Sequence, residues 1–529
     1  MKGGKFVFAK AKSLGIYGMD AFGVVVEADI SKGLPRFDIV GLPDTAVKES
    51  RERVRASIKN CRFDFPVSRI TINIAPADIK KEGPVYDLPI LIALLAATGQ
   101  LKEKIDDYAF IGELSLDGEI RACTGVLPML LKAREEGIPS VFIPYANKTE
   151  AGAVNGIDVY AANNIGEVIR HITGEEKLQP CYTPASELAT YDETLDFADV
   201  KGQGDAKRAL EIAAAGGHNC IMIGPPGTGK SMLAKRLPSI LPEMSFEEEL
   251  ETTKIYSIAG KLPPDVQLIT RRPFRSPHHT ISAQGLTGGG QVPRPGEISL
   301  SHNGVLFMDE FPEFDRRAKE SLRQPLEDGI ITISRSSGTV SYPSNIMVVA
   351  GVNPCPRGDF FCVVAAMNPC PCGYLGHPTR ECVCTDAAKR RYRDKVSGPI
   401  LDRIDIHIEV EPVDYDRLAS KQREESSAEI RQRVNRAREI QRKRFEGTGI
   451  ACNAKMTPRM TREFCVLDSD AENLLKLSFE KLGLSARAYD KILRISRTIA
   501  DLDGCDNIKA EHIAQAVQYR SLDRKYWTE

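Results

Sequence analysis

Residues 224–231 read Gly-Pro-Pro-Gly-Thr-Gly-Lys-Ser, and this octet decides the fold of the central part of the chain. It matches the phosphate-loop pattern G-x-x-x-x-G-K-[ST] at every fixed position. The apolar run 220–223 before it predicts a buried strand, and 232–237 after it predicts a helix. Glycines let backbone N–H groups turn toward a triphosphate, and the helix N-terminus adds positive potential. The octet therefore predicts a nucleotide-binding loop.

Residues 305–310, Val-Leu-Phe-Met-Asp-Glu, supply the second half of such a site. Four apolar residues suit a central parallel strand, and ligands bind at the carboxyl ends of such strands. Asp309 would share Mg²⁺ with Ser231, Glu310 would polarise the attacking water, and Lys230 would reach the β- and γ-phosphates. These residues predict an ATPase that uses ATP and Mg²⁺. The nucleotide would be cradled by Gly224, Pro225, Pro226, Gly227, Thr228, Gly229, Lys230 and Ser231.

Length and composition bound the remaining interpretation. A chain of 529 residues is too long for one core, and its net charge of -1 leaves nucleic-acid binding to local basic patches. No apolar run approaches a membrane span, so no membrane association is expected. Thirteen cysteines without a secretory signal predict a reducing compartment, with the cytoplasm as the default.

The pattern changes several times along the chain. Residues 1–178 mix strand-like and helical segments, 179–197 read as a linker, and 198–412 carry the α/β pattern. A connecting segment, 413–455, precedes helical residues 456–529. Near the N-terminus, Asp44 is expected to cap a helix that buries Val47, Val54 and Ile58, and 70–74 alternate like a half-buried strand. Helical spacing within 426–444 predicts an exposed amphipathic helix with Ile430, Val434, Ala437 and Ile440 on one face.

One segment is repeated. Residues 348–356, Val-Val-Ala-Gly-Val-Asn-Pro-Cys-Pro, return at 363–371 as Val-Val-Ala-Ala-Met-Asn-Pro-Cys-Pro. Each copy predicts an apolar strand that ends in Asn-Pro. The repeat is too short for a solenoid unit, so we interpret 348–360 and 363–375 as a local tandem duplication.

A cysteine cluster follows the second copy. Cys370, Cys372, Cys382 and Cys384 form two C-x-C pairs twelve residues apart, with His377 between them. Four thiolates can close a tetrahedral structural zinc site, and the alternative is a reduced, metal-free loop. The first copy carries Arg357 in place of its second thiol and cannot offer the same pair.

Long strings throughout the chain point to one family. They include 37–44 (Phe-Asp-Ile-Val-Gly-Leu-Pro-Asp), 272–280 (Arg-Pro-Phe-Arg-Ser-Pro-His-His-Thr), 322–329 (Leu-Arg-Gln-Pro-Leu-Glu-Asp-Gly) and 398–405 (Gly-Pro-Ile-Leu-Asp-Arg-Ile-Asp). These strings resemble the ComM/YifB family of magnesium-chelatase-like AAA+ ATPases. The resemblance implies a multidomain α/β protein with a Lon-protease-like (ribosomal S5 domain 2-like) α+β domain at 1–178. It further implies an AAA+ P-loop domain at 198–412 and a helical lid of magnesium-chelatase C-terminal type at 456–529.

The same resemblance implies roles for three further side chains in a hexameric ring. Arg403 is similar to an arginine finger that enters the neighbouring subunit's site, the alternative being a surface ion pair with Asp402 or Asp405. Arg487 resembles the second sensor arginine, the alternative being a helix-surface charge. The water-orienting asparagine falls at Asn353 or Asn368, because the repeat supplies two candidates, and Asn368 is favoured.

DNA contacts are expected from two basic loops. The hairpin-like stretch 330–342 exposes Arg335 near its tip, and related motors use such a hairpin to grip DNA, although a plain surface hairpin fits the pattern equally well. Arg272 and Arg275, together with Arg271, His278 and His279, form the second candidate.

The N-terminal strings 112–118 and 125–127 resemble the proteolytic domain of Lon, which uses a serine nucleophile and a lysine base. Those positions fall at Val85 and Pro128, and neither side chain can perform the chemistry.

The favoured function is an ATP-dependent motor for branch migration or unwinding of single-stranded or branched DNA in homologous recombination and natural transformation. The alternatives are a chelatase-type remodelling ATPase, a protease-associated unfoldase and a nucleotide-gated scaffold.

Overall fold

The computed structural model describes residues 7–181, 195–290, 293–335, 338–344, 362–375, 380–396, 398–419 and 423–527. These residues form a mixed α/β protein that contains a parallel sheet, as the sequence predicts. Within them, no helix combines the length and the apolar character that a membrane crossing needs.

The N-terminal region is built on a seven-stranded sheet. Its elements are β1 (Val7–Tyr17), β2 (Asp20–Ser31), β3 (Arg36–Val40), α1 (Thr45–Asn60), β4 (Arg69–Ala75), α2 (Asp87–Ala97), β5 (Tyr108–Phe110), β6 (Glu113–Leu114), β7 (Ile120–Arg121), α3 (Val126–Glu135), β8 (Ser140–Pro144), α4 (Lys148–Ala151), β9 (Asp158–Ala162) and α5 (Ile165–Thr173). The strand order is β3-β4-β2-β1-β5-β8-β9, and the apolar helix α2 packs on β1 and β2.

Local sequence explains two of these elements. The Asp44 carboxylate accepts a hydrogen bond from the Val47 backbone N–H at 2.8 Å and begins α1, as predicted. The predicted buried face of α1 and the predicted alternation of β4 are both confirmed. The buried apolar residues are Val47, Val54 and Ile58 in α1 and Ile70, Ile72 and Ile74 in β4.

The central region is built on a five-stranded parallel sheet. Its elements are α6 (Gly204–Gly216), β10 (Cys220–Ile223), α7 (Lys230–Arg236), α8 (Phe246–Ala259), β11 (Phe274–Arg275), α9 (Ala283–Thr287), β12 (Gly288–Gly289), β13 (Arg294–Pro295), α10 (Glu297–Leu300), β14 (Val305–Met308), α11 (Arg316–Glu320), α12 (Arg323–Asp328), β15 (Ile330–Arg335), β16 (Gly338–Pro343), β17 (Cys362–Met367), α13 (Asp386–Arg393), α14 (Gly398–Leu401) and β18 (Ile406–Glu409). The order is β11-β14-β17-β10-β18. The second copy of the repeat thus supplies β17, and the first copy lies outside the described residues.

The C-terminal region is helical. It contains α15 (Tyr415–Ala419), α16 (Ser427–Arg444), α17 (Pro458–Phe464), α18 (Ser469–Leu482), α19 (Ala486–Leu502) and α20 (Ala510–Trp527). The helix predicted within 426–444 forms as α16, but the prediction of an exposed helix is wrong. Its apolar stripe packs against α6 and α19, where Ile430, Val434 and Ala437 are buried. Ile440 lies outside this stripe and is 37% exposed.

The N-terminal region packs directly on the central region. The Gly125 backbone N–H at the start of α3 donates to the Ser257 carbonyl of α8 at 3.1 Å. The buried Glu150 carboxylate accepts from the Ser257 hydroxyl and from the Leu127 backbone N–H. At a second contact, Val340 of β16 lies against Gly18 in the β1–β2 turn.

Candidate functional site

The octet forms a tight loop between β10 and α7. A Cβ added at Gly224 would lie 2.2 Å from the Val410 carbonyl oxygen, so only glycine fits there. Gly227 and Gly229 adopt φ of +79° and +91°, a region that other residues rarely occupy. The Thr228 hydroxyl donates to the Pro225 carbonyl at 3.0 Å and braces the turn. The chain therefore folds here as a phosphate-binding loop requires.

Lys230 begins α7 and lies largely buried in this loop. Its ammonium group donates to the carbonyls of Gly224 at 2.7 Å and Pro225 at 2.8 Å. Burial lowers the pKa of Lys230, and the charges of Asp309 and Glu310 oppose that shift. A phosphate oxygen would give this cation a charged partner that the loop carbonyls do not provide.

The side chains of Ser231 and Asp309 meet, although they come from α7 and from the end of β14. The Ser231 hydroxyl donates to Asp309 Oδ2 at 2.7 Å, and Asp309 Oδ1 accepts from the Glu310 backbone N–H at 3.0 Å. Asp309 follows β14 directly and Ser231 lies in the first turn of α7. Hydroxyl and carboxylate oxygens are the ligands that Mg²⁺ prefers, so the pair fits the ion that the sequence predicts.

Glu310 follows Asp309 directly and has a left-handed backbone conformation, with φ of +52°. Its carboxylate lies 3.2 Å from His279 Nδ1, and both side chains are partly exposed. His279 was predicted to belong to a basic loop, and it lies against Glu310 in the structure. A group that sits next to the phosphate loop and is reachable by water fits the predicted role of Glu310.

Asn368 follows β17, the strand between β14 and β10. The Met367 carbonyl accepts from the Gly224 backbone N–H at 3.3 Å, so Asn368 lies between the phosphate loop and the Asp309 strand. Asn353, the other candidate, lies outside the described residues. The described copy of the repeat thus brings an asparagine to the predicted place.

Sequence reasoning missed a cavity next to the loop. Gln203, just before α6, donates from Nε2 to the carbonyls of Thr228 at 3.2 Å and Glu411 at 2.7 Å. A cavity of about 540 Å³ opens beside it, with His407 and Tyr519 in its walls. The residues of this cavity come from widely separated parts of the chain. The sequence offers one signal for it, which is the position of 200–203 just before α6, the helix that precedes β10.

Three arginines lie together on another surface. Arg403 is buried, with 6% of the residue exposed, whereas Arg487 and Arg323 are well exposed. Burial lowers the pKa of Arg403, and the charges of Arg323 and Arg487 lower it further. Arg487 approaches Asp402 at 3.7 Å. Asp405, one of the two ion-pair partners considered for Arg403, pairs with Lys491 at 2.8 Å.

The four cysteines of the predicted metal site converge. Sγ–Sγ distances are 3.4 Å for Cys370–Cys372, 3.6 Å for Cys370–Cys382 and 3.7 Å for Cys372–Cys382, and the four sulfurs lie within 4.8 Å of one another. Cys384 Sγ accepts from the Cys372 backbone N–H at 3.4 Å. The backbone N–H of Tyr374 contributes most to lowering the pKa of Cys372, to about 6. Four sulfurs around a zinc ion lie about 3.8 Å apart, so the grouping fits Zn²⁺.

The arginines predicted to contact DNA differ in their surroundings. Arg272 is buried and donates to the carbonyls of Pro242, Glu243 and Asn303 and to the Glu248 carboxylate. Its prediction as a DNA contact is wrong, because these internal partners occupy the guanidinium. Arg275 forms a two-point ion pair with Glu297. Arg335 ends β15 opposite Gly338, at the turn of the hairpin.

Comparison with known proteins covers almost the whole chain. Residues 196–362 and 359–418 match the family described as magnesium chelatase, subunit ChlI, 26–147 match subunit ChlI of Mg-chelatase, and 424–520 match its C-terminal domain. The chain is 43% identical over 511 residues to the uncharacterized protein YifB of Escherichia coli K12, with 96% of each chain covered. It is 41% identical over 512 residues to competence protein ComM of Haemophilus influenzae, again with 96% of each covered.

The chain belongs to the ComM/YifB family of magnesium-chelatase-like proteins. This membership brings with it an ATPase of the AAA+ type that uses ATP and Mg²⁺. The central family match is divided into two segments that overlap at 359–362, where the first copy of the repeat ends and the second is about to begin. A local duplication of sequence within a family member is expected to divide the match in this way.

Part of the chain also resembles Lon protease. It is 28% identical over 171 residues to the Lon protease of Mycolicibacterium smegmatis, which covers 30% of this chain and 22% of that protein. Val85 lines a cavity of about 370 Å³ with Asp44, Lys80 and Cys123, and Pro128 is buried in α3. The side chains at the two expected catalytic positions carry no nucleophile and no base.

Proposed function

We propose that this chain is a ring-forming ATPase motor that acts on DNA, with branch migration or unwinding in homologous recombination and natural transformation as its task. The observation that carries the ATPase part is the junction of Ser231 and Asp309 beside Glu310 at the mouth of the phosphate loop. ATP would lie with its phosphates in the loop and its base toward the Gln203 cavity. Lys230, Ser231 and Asp309 would hold the phosphates and Mg²⁺, which supplies charge neutralisation, while Glu310 and Asn368 would position water.

We propose further that the arginine cluster serves the neighbouring subunit. The charges of Arg323 and Arg487 both lower the pKa of Arg403, so the three cations form one positive cluster. Such a cluster suits the phosphate charge of a nucleotide bound by a neighbouring subunit. Arg403 and Arg487 would approach the γ-phosphate of the adjoining subunit, and Arg403 would need to extend from its buried position.

The DNA part rests on family membership and on the name of the Haemophilus relative, a competence protein. Competence concerns the uptake of DNA, and this supports DNA as the proposed substrate of this chain. Arg335 and Arg275 remain our candidate contacts, whereas Arg272 is withdrawn. Single-stranded DNA binding needs only a few cationic contacts when they are repeated around a ring.

For the cysteine cluster we propose structural Zn²⁺. Its four sulfurs have the number and spacing that a closed tetrahedral site needs, and Cys384 is oriented by a backbone N–H. Thiolate ligands favour zinc over harder divalent ions such as Mg²⁺. Zinc analysis of the purified protein is expected to give about one ion per chain.

The deciding experiment compares ATP hydrolysis without DNA and with single-stranded, duplex, forked and four-way-junction DNA. Strong stimulation by forked or branched DNA, together with displacement of a labelled strand, is expected. A variant with Lys230→Ala controls for contaminating ATPases. Hydrolysis that is rapid but indifferent to every DNA would overturn the DNA assignment and favour a chelatase-type remodelling ATPase or a protease-associated unfoldase.

A further inference from the structure

The cysteine cluster lies against the phosphate loop. Gly373, within the turn that carries Cys370 and Cys372, has φ of +84°, and a Cβ added there would lie 2.5 Å from Pro226 Cδ. The backbone of the cysteine turn therefore packs directly on the Pro226 ring, in the middle of the octet.

The same turn continues into the other parts of the nucleotide site. Cys370 is two residues from Asn368, and the preceding Met367 carbonyl is hydrogen-bonded to Gly224. On the other side, Cys384 is followed directly by Thr385, whose side chain caps α13. Displacement of the cysteines would therefore move both ends of a segment that borders the loop.

Helix α13 leads back to the site as well. The Tyr392 hydroxyl lies by the backbone N–H of Asn368. Burial raises the pKa of Tyr392, and this contact with Asn368 opposes part of the rise. Lys395 donates to both carboxylate oxygens of Glu313 at 2.9 Å, three residues after Glu310. The cysteine segment is thus enclosed between Asn368 and an element anchored beside Glu310.

Besides the sulfurs, the described residues of this segment are joined by an exposed contact, in which Arg380 Nη1 donates to the Tyr374 hydroxyl at 2.7 Å. Pro371 and Val383, the middle residues of the two C-x-C pairs, are exposed, so apolar burial at these two positions does not hold the pairs together. Four converging thiols contribute order chiefly when a cation joins them, because metal binding then supplies folding free energy. The position of the Gly373 backbone against Pro226 accordingly depends on the state of the four sulfurs.

We propose that metal binding by the four cysteines and nucleotide binding by the phosphate loop are energetically coupled through the Gly373–Pro226 contact. The metal-bound turn supports the loop in its binding conformation, and a bound nucleotide in turn holds the turn closed on its metal. Such coupling is reciprocal, so each ligand raises the affinity for the other by the same factor. This inference rests on the proposed nucleotide and zinc sites.

The test follows the release of Zn²⁺ from the full-length protein to a chromophoric chelator, with and without ATPγS. At an unchanged association rate, a fivefold gain in zinc affinity slows zinc release about fivefold, and we expect ATPγS to have at least this effect, which is within the usual range of coupling between sites. The Lys230→Ala variant, which is expected to lose nucleotide binding, controls for chelation of zinc by the nucleotide itself and is expected to show no slowing.

Two glycine variants locate the coupling. Gly373→Ala keeps all four thiols and is expected to retain zinc, but its methyl group would push on Pro226 and abolish the effect of ATPγS. Gly447→Ala is the matched control, because Gly447 has a similar φ of +74° and no heavy atom within 4 Å of an added Cβ. It carries the same backbone strain and is expected to behave as wild type.

The outcomes separate the hypotheses. Zinc release that ignores ATPγS while nucleotide binds normally would overturn the coupling and leave the ATPase proposal intact. A protein that binds ATPγS but contains no zinc, and takes up none when it is supplied, would overturn both the metal site and the coupling. A protein that binds no nucleotide would overturn the proposed function itself.

Discussion

At the residue scale, Lys230 is a buried cation whose hydrogen bonds go to two carbonyls of its own loop. Removal of the ammonium group leaves those carbonyls without their donor and a bound triphosphate without its main positive partner. We expect Lys230→Ala to weaken ATP binding by about 100-fold or more, given the strength of charged hydrogen bonds. Equilibrium binding of a fluorescent ATP analogue measures this. Unchanged affinity would contradict the assignment of the octet.

Glu310 is expected to act in hydrolysis and not in nucleotide binding, because its carboxylate lies against His279 beside the phosphate loop. Glu310→Gln keeps the shape of the side chain but removes its ability to accept a proton. We expect ATP binding to persist while hydrolysis falls by about 100-fold or more, as for loss of a general base. Binding and single-turnover hydrolysis, measured on the same preparation, separate the two effects. Undiminished hydrolysis would exclude the catalytic role.

At the element scale, the outcome of prediction depended on whether the deciding partners are near in sequence. The cap of α1, the alternation of β4 and the octet were predictable because each is a local pattern. Helix α16 was placed correctly but was predicted to be exposed, because its cover comes from α6 and α19. Gln441 is fully buried there, since it bonds the Ala215 carbonyl and the Asn453 backbone N–H.

The functional site divides in the same way. Ser231 and Asp309 were predictable because each belongs to a recognisable local string, even though the two strings are far apart. The Gln203 cavity and the Gly373–Pro226 contact were not, because no local pattern marks either partner. Arg272 was misassigned for a related reason: the carbonyls and the carboxylate that occupy it belong to other segments, and sequence alone shows only a cation in a loop.

The buried ion pair between Asp405, two residues after Arg403, and Lys491 makes the free energy of unfolding depend on pH. Burial would raise the pKa of Asp405, but the Lys491 ammonium at 2.8 Å and His218 outweigh it and hold that pKa well below its usual range. As the pH falls through about 4, this aspartate becomes protonated in the unfolded chain, whereas native Asp405 stays ionised. The stability that the carboxylate contributes is therefore present above pH 4 and is lost as the pH falls further.

We therefore expect Asp405→Asn to destabilise the C-terminal helices by about 3 kcal/mol near neutral pH, because it leaves Lys491 buried without its counter-charge. The variant is also expected to lose part of the acid dependence. Unfolding followed by fluorescence of Trp527, the only tryptophan of the chain, measures both. Asp402→Asn is the matched control, since its exposed pair with Arg487 is worth less than about 1 kcal/mol. Equal effects of the two variants would contradict the buried-pair argument.

At the scale of the whole molecule, the chain holds its regions together through polar as well as apolar contacts. Ser257 of α8 is bonded to Glu150 and to Gly125 of the N-terminal region, and Lys491 and Arg520 both donate to the Ile404 carbonyl. The backbone that carries Arg403 is thus fixed to α19 and α20. Movement of the C-terminal helices would move Arg403 with them, which gives a shared site a mechanical link to the rest of the subunit.

Arg403→Ala and Glu310→Gln together provide the sharpest test of that shared site. Each variant alone is expected to form inactive rings, one without the finger and the other without the base. If Arg403 acts on the neighbour, a site owned by an Arg403→Ala subunit becomes complete when the adjoining subunit is Glu310→Gln. Random mixing in equal amounts then restores about a quarter of wild-type sites, because heterologous ring contacts pair each subunit's site with its neighbour's finger.

The measurement is the ATPase rate of the two variants mixed before ring assembly, with assembly checked by light scattering. The mixture of Glu310→Gln with Lys230→Ala is the control for nonspecific activation, because every site in it lacks its own Glu310 or its own Lys230. The mixture of Arg403→Ala with Lys230→Ala is expected to recover about a quarter of sites in the same way, because Lys230→Ala subunits keep Arg403. Arg403→Lys keeps the charge but loses the planar fork, so it is expected to recover only part of the activity. An Arg403 that acts within its own subunit gives no recovery in any mixture, because every subunit would then lack one of its own two groups. That result would exclude the proposed action of Arg403 on the neighbouring subunit and leave it a structural role near Arg323 and Arg487.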